Sequence, residues 1–66
     1  PALFTIGTLD PLLDDSLLMA TRWSAAGNET ELAIYPGGIH AFNAIPGLPL
    51  AEEAHGKMVS FLKSYL

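Results

Sequence analysis

The sequence predicts an α/β fold: a β-α-β-α run on a mainly parallel sheet, incomplete on its own and read as the edge or end of a larger α/β sheet. Three observations point there. Two short apolar runs, Ala2 to Gly7 and Glu31 to Tyr35, lack the strict alternation of a strand with one wet face and suit strands covered on both sides. The segment between them, about two dozen residues, is long enough for the crossover that parallel neighbours require. Half of the 66 residues are hydrophobic and 15% are charged, a balance closer to the inside of a larger protein than to a free-standing miniature. A chain of this length buries only about 60% of its unfolded surface, so residues 1–66 are expected to be a piece of a larger protein.

The elements follow in order. The run ALFTIG is the first strand, and Thr8 to Leu13 is a loop. Asp14, Asp15 and Ser16 offer capping oxygens and negative charge at a helix start, which predicts a helix over Leu17 to Ala26 that ends at Gly27 and Asn28. Leu13, Leu17, Leu18, Ala20, Thr21 and Ala25 recur at three- and four-residue spacings and give that helix an apolar side, widened by Met19 and by Trp23, which is read as core. The second strand ends at Pro36, Gly37 and Gly38, and an irregular loop rich in proline and glycine continues to about Leu50. From Leu50 to Leu66, Ala51, Ala54, Met58, Phe61, Leu62 and Tyr65 share one helical face, with Glu52, Glu53, Lys57, Ser60 and Lys63 on the other. Two strands cannot form a stable doubly covered sheet, so further strands are expected beside them, and the isolated segment is expected to associate through its unpaired edges.

Composition excludes several classes of function. Seven acidic residues face only Arg22, Lys57 and Lys63, a formal net charge of −4, which leaves no basic patch for a nucleic-acid backbone. No apolar run approaches the ~20 residues of a bilayer span, and no secretory leader is visible, so the segment reads as soluble, the cytoplasm being favoured and the compartment left open. There are no cysteines, and the two histidines, His40 and His55, lie fifteen residues apart without clustered carboxylates. No metal and no cofactor are expected.

In open α/β sheets the loops beyond the carboxyl ends of the strands converge on one edge, where ligands and catalytic groups gather. Asp10 lies three residues beyond the first strand and His40 five beyond the second, so adjacent parallel strands bring a carboxylate beside an imidazole. Such a pair orients the imidazole and stabilises its cation while Nε2 takes a proton from a nucleophile. Ser16, Ser24, Ser60 and Ser64 are the only serines, and none stands in a G-x-S-x-G turn. The nucleophile is therefore expected outside these residues. Pro11 favours Asp10 over Asp14 and Asp15, because a residue before proline is held out of the helical region, whereas the later acids suit a helix start.

The stretches GTLDPLLDD (Gly7 to Asp15) and YPGGIHAF (Tyr35 to Phe42) resemble the C-terminal part of hormone-sensitive-lipase-like esterases of the α/β-hydrolase superfamily. The resemblance covers nearly the whole chain. It implies an α/β-hydrolase fold in which Asp10, the first acid of D-P-L-x-D, is the triad acid, and His40, in the position of the H-G-F histidine, is the base. It further implies an upstream nucleophile elbow and oxyanion loop, a small-molecule ester as substrate, and the rest of the hydrolase domain as partner. Ala41 departs from the pattern, which usually has glycine there and so lacks the Cβ beside the base.

Phe42, Ile45 and Leu48 follow the histidine, and Phe42 is a candidate for substrate binding, with packing onto the core as the alternative. His55, on the flank of the last helix, is read as structural. A serine-type carboxylic ester hydrolase is the expected function. A dienelactone-hydrolase or prolyl-oligopeptidase relative and a non-catalytic ligand-binding relative are the alternatives, separated by the residue at the upstream elbow.

Overall fold

The computed structural model describes residues 1–66. Its elements are β1 (Ala2–Gly7), α1 (Leu13–Ala25), β2 (Thr30–Tyr35), a short 3-10 turn (Phe42–Ala44) and α2 (Pro49–Lys63). β1 and β2 pair in parallel from Ala2 opposite Thr30 to Gly7 opposite Tyr35, so the two strands finish at the same level. Successive side chains alternate between faces, which puts Phe4 and Ile6 with Leu32 and Ile34 on one side, and Leu3 and Thr5 with Ala33 and Tyr35 on the other.

α1 lies on the first side, where Ala20, Thr21, Ser24 and Ala25 border Thr30 and Leu32. On the second side, α2 and the 3-10 turn close a small core of Tyr35, Phe42 and Ala54, with Ala33, Leu48 and Leu50 packed against it. Tyr35 and Phe42 stack with ring centroids 5.2 Å apart, and an ion pair from Lys57 to Glu31 at 3.2 Å ties α2 to β2.

The start of α1 is made by different groups from those the sequence suggests. α1 begins at Leu13, four residues before the expected start, with Leu12 at its cap and no side-chain cap bond. The capping work is done upstream: Asp10 accepts from the Leu12 N–H through Oδ1 at 2.8 Å and from the Leu13 N–H through its carbonyl at 3.1 Å. Asp14, Asp15 and Ser16 are thereby displaced from capping into the first turn and just beyond it. The acids still face the positive end of the helix dipole there. The C-terminus does end at the predicted glycine. Gly27, at φ +91°, donates to the Ser24 carbonyl and Asn28 to that of Trp23, the paired bonds of a Schellman motif.

Trp23 is not core. It is 39% exposed, Leu18 and Met19 are exposed as well, and Ala20 is the only buried residue of α1. The reason is geometric: strand axes are about 4.8 Å apart, whereas a helix with its side chains is about 10–12 Å wide. The flanks of α1 overhang a sheet of two strands. α2 starts with Pro49 at its first position, where a missing N–H costs nothing, and buries Ala51, Ala54 and Phe61. Beyond its end Tyr65 stacks on Phe61 with centroids 5.0 Å apart, and its hydroxyl donates to the Glu29 carboxylate. That hydrogen bond, followed by desolvation and by the charges of Glu29 and Glu31, raises the Tyr65 phenol above its ordinary value. No helix is long and apolar enough to cross a membrane.

Candidate active site

Because β1 and β2 end level, the loops that leave Gly7 and Tyr35 run side by side, and the backbone stitches them together. Thr8 N–H donates to the Tyr35 carbonyl at 3.1 Å, Leu9 N–H to that of Gly38 at 2.9 Å, and Gly37 N–H to the Thr8 hydroxyl at 2.8 Å. The approach is close enough to require glycine. A Cβ on Gly7 would lie 2.0 Å from the Gly38 oxygen, and one on Gly38 would lie 3.0 Å from the Gly7 Cα. Neither this contact nor the part played by Thr8 is apparent from the sequence, where the available signals are a glycine closing the first strand and a Gly-Gly pair just after the second.

From this junction each loop delivers one titratable side chain. Asp10 N–H donates back to the Gly7 carbonyl at 3.2 Å, which folds the first loop over and turns the carboxylate inward. Its side chain is 5% exposed. Both oxygens are used: Oδ1 accepts from Leu12 N–H, and Oδ2 accepts from His40 Nδ1–H at 2.9 Å. An ionised carboxylate can only accept, so the Nδ1 atom carries the proton and Nε2 of the neutral ring is left with its lone pair. The His40 side chain is 64% exposed, so a buried acid holds an imidazole whose far edge is open.

The backbone around His40 is a tight turn in which Phe42 N–H donates to the Ile39 carbonyl at 3.1 Å. Ala41 occupies it at φ +58°, the left-handed region, the only non-glycine residue of the chain to do so. This conformation costs an L-residue about 1–2 kcal/mol, a strain that glycine would not carry.

Phe42, considered for substrate binding, is 3% exposed and packed on Tyr35 in the core, so its surroundings support the packing alternative. His55 is tied to the other side of the loop, its Nε2–H donating to the Asn43 carbonyl at 2.6 Å, which pins α2 to the 3-10 turn. No group of three or more His, Cys, Asp or Glu side chains is placed to hold a metal. None of the surface hollows of the chain is lined by Asp10 or His40.

A family model for the alpha/beta hydrolase fold matches residues 1–44, the stretch that carries β1, α1, β2 and both members of the pair. The chain belongs to the α/β-hydrolase fold family. No curated protein matches it. Within this α/β hydrolase, Asp10 and His40 stand beyond the carboxyl ends of two adjacent parallel strands, where such sheets gather their chemistry, and α2 lies after the matched stretch.

Proposed function

We propose that this α/β-hydrolase chain is the C-terminal segment of a serine-type carboxylic ester hydrolase of the hormone-sensitive-lipase-like kind, with Asp10 as its acid and His40 as its general base. The serine belongs to a part of the domain outside residues 1–66. The observation that carries the reading is the 2.9 Å bond from His40 Nδ1 to Asp10 Oδ2, with that carboxylate buried and the imidazole's other edge open.

In this mechanism His40 Nε2 removes the serine proton as the hydroxyl oxygen attacks the ester carbonyl, and Asp10 stabilises the imidazolium that results. The imidazolium then gives the proton to the departing alkoxide, leaving an acyl-enzyme and an alcohol. Water is activated through the same nitrogen, its oxygen bonds to the acyl carbon, and the proton returns to the serine as the carboxylic acid departs. The absence of any hollow lined by the pair and the overhanging apolar flanks of α1 support a partner portion of the same domain that covers this chain and supplies the walls of the substrate pocket. Wet, singly exposed apolar side chains are ordinary, but Leu18, Met19 and Trp23 lie together on one helix.

A fluorophosphonate probe tests the reading on the whole protein. Covalent labelling of one serine outside residues 1–66, lost in His40→Ala, is the expected result. Labelling that persists in His40→Ala, or that falls on Ser16, Ser24, Ser60 or Ser64, contradicts it.

A further inference from the structure

Asp10 and His40 reside on separate loops thirty residues apart in sequence, so their alignment depends on what holds one loop to the other. Three hydrogen bonds do so. Two are backbone to backbone and exist for any residue types compatible with the Gly7–Gly38 approach. The third, from Gly37 N–H to Thr8 Oγ1 at 2.8 Å, is the only one made by a side chain. It joins a residue two before the acid to a residue three before the base. Gly37 stands just past the strand ladder at φ +79°, and the Thr8 hydroxyl is the acceptor its N–H meets.

We infer that Thr8 is a positioning residue for the Asp10–His40 pair: its hydroxyl fixes the start of the histidine loop against the start of the acid loop and so sets the separation across which the carboxylate orients the imidazole. The inference rests on the proposed roles of Asp10 and His40. Thr8 touches neither substrate nor reacting atoms. Because Gly37 is exposed, water replaces the hydroxyl when it is removed, and the loss appears in alignment more than in folding. Val is the informative replacement, since it keeps the branched shape and drops the acceptor.

The test compares Thr8→Val and Thr8→Ser with the unaltered full-length protein. It reads ¹⁵N shifts of the His40 ring for the tautomer, and p-nitrophenyl butyrate hydrolysis for kcat and KM. In Thr8→Val the Nδ1–H tautomer is expected to lose population to Nε2–H and kcat to fall about three- to tenfold, the scale of one net hydrogen bond, with KM unchanged. Thr8→Ser restores both readings. An unchanged tautomer in Thr8→Val overturns the inference, whether or not stability falls, and so does a rise in KM with kcat intact. If the tautomer shifts while neither protein hydrolyses the ester, the positioning role stands and the esterase reading fails. Should Thr8→Val not fold, hydrogen exchange on the unaltered protein decides: Gly37 N–H protected relative to the exposed Gly47 N–H supports the bond, and equal exchange overturns it.

Discussion

Replacing Gly7 with alanine should damage stability and activity together, because its site is the seam between the two functional loops. The added Cβ would sit 2.0 Å from the Gly38 oxygen, 2.3 Å from its carbonyl carbon and 2.6 Å from its Cα. All three are backbone atoms, so no rotamer change can relieve the contact. Reaching an ordinary separation near 3.4 Å requires the loops to part by about 1.4 Å. That movement stretches the Leu9–Gly38 and Thr8–Tyr35 hydrogen bonds from 2.9 and 3.1 Å beyond bonding range. Two net hydrogen bonds at about 0.5–1.5 kcal/mol each, together with overpacking of about 1–3 kcal/mol, predict a loss of about 2–6 kcal/mol. The same displacement opens the 2.9 Å Asp10–His40 bond, for which a loss of about 10²-fold in kcat is expected. Urea unfolding and p-nitrophenyl ester hydrolysis measure the two effects, with Gly56→Ala as the control. Gly56 lies inside α2 with nothing within 4 Å of its Cβ position, and alanine there should stabilise by about 0.5–1 kcal/mol. A Gly7→Ala protein with the unaltered protein's urea midpoint and kcat would refute the reasoning.

Two further outcomes follow from the same geometry. Ala41→Gly removes the left-handed strain at φ +58° and, after the extra flexibility glycine gives the unfolded chain, should stabilise by about 0–1 kcal/mol; a fall in thermal midpoint would contradict the assigned turn. The raised Tyr65 phenol predicts a stability that is constant below the ordinary tyrosine value and declines above it. There the unfolded chain releases a proton that the folded chain, bonded to Glu29, still holds. Tyr65→Phe should abolish that alkaline component in urea midpoints measured across the range, and a decline of equal slope in the variant would exclude Tyr65 as its source.

The parts of the structure legible in the sequence are those set by local pattern. β1 spans Ala2–Gly7 as the apolar run indicates, and β2 gains only Thr30 at its start. The end of α1 at Gly27 was legible because glycine is the residue that reaches positive φ without strain. Its start was not, since Asp14 to Ser16 advertise a cap that Asp10 already supplies from four residues upstream. The 3-10 turn at Phe42–Ala44 and the left-handed Ala41 are not legible for a related reason: alanine carries no signal for such a conformation, and the packing of Phe42 with Tyr35 and Ala54 beside it is non-local. The exposure of Trp23 is not legible because helical periodicity reports which face is apolar, not how wide a surface lies beneath it. Strand-end placement makes the meeting of Asp10 and His40 physically reasonable, and the wording around D-P-L-L-D and H-A-F strengthens it, whereas the Gly7–Gly38 contact and the Thr8 bond that hold it are non-local and emerge only with the register.

The central claim, that Asp10 and His40 act as one unit in ester hydrolysis, is tested most directly by kcat/KM for p-nitrophenyl butyrate in the full-length protein and in its Asp10→Asn, His40→Ala and doubly substituted forms. Each single substitution should reduce kcat/KM by about 10³–10⁴-fold, and the double substitution should cost little more than His40→Ala, since a carboxylate with no imidazole to orient has no further role. Rates in either single variant within a few-fold of the unaltered protein, or losses that simply multiply in the double variant, would contradict it.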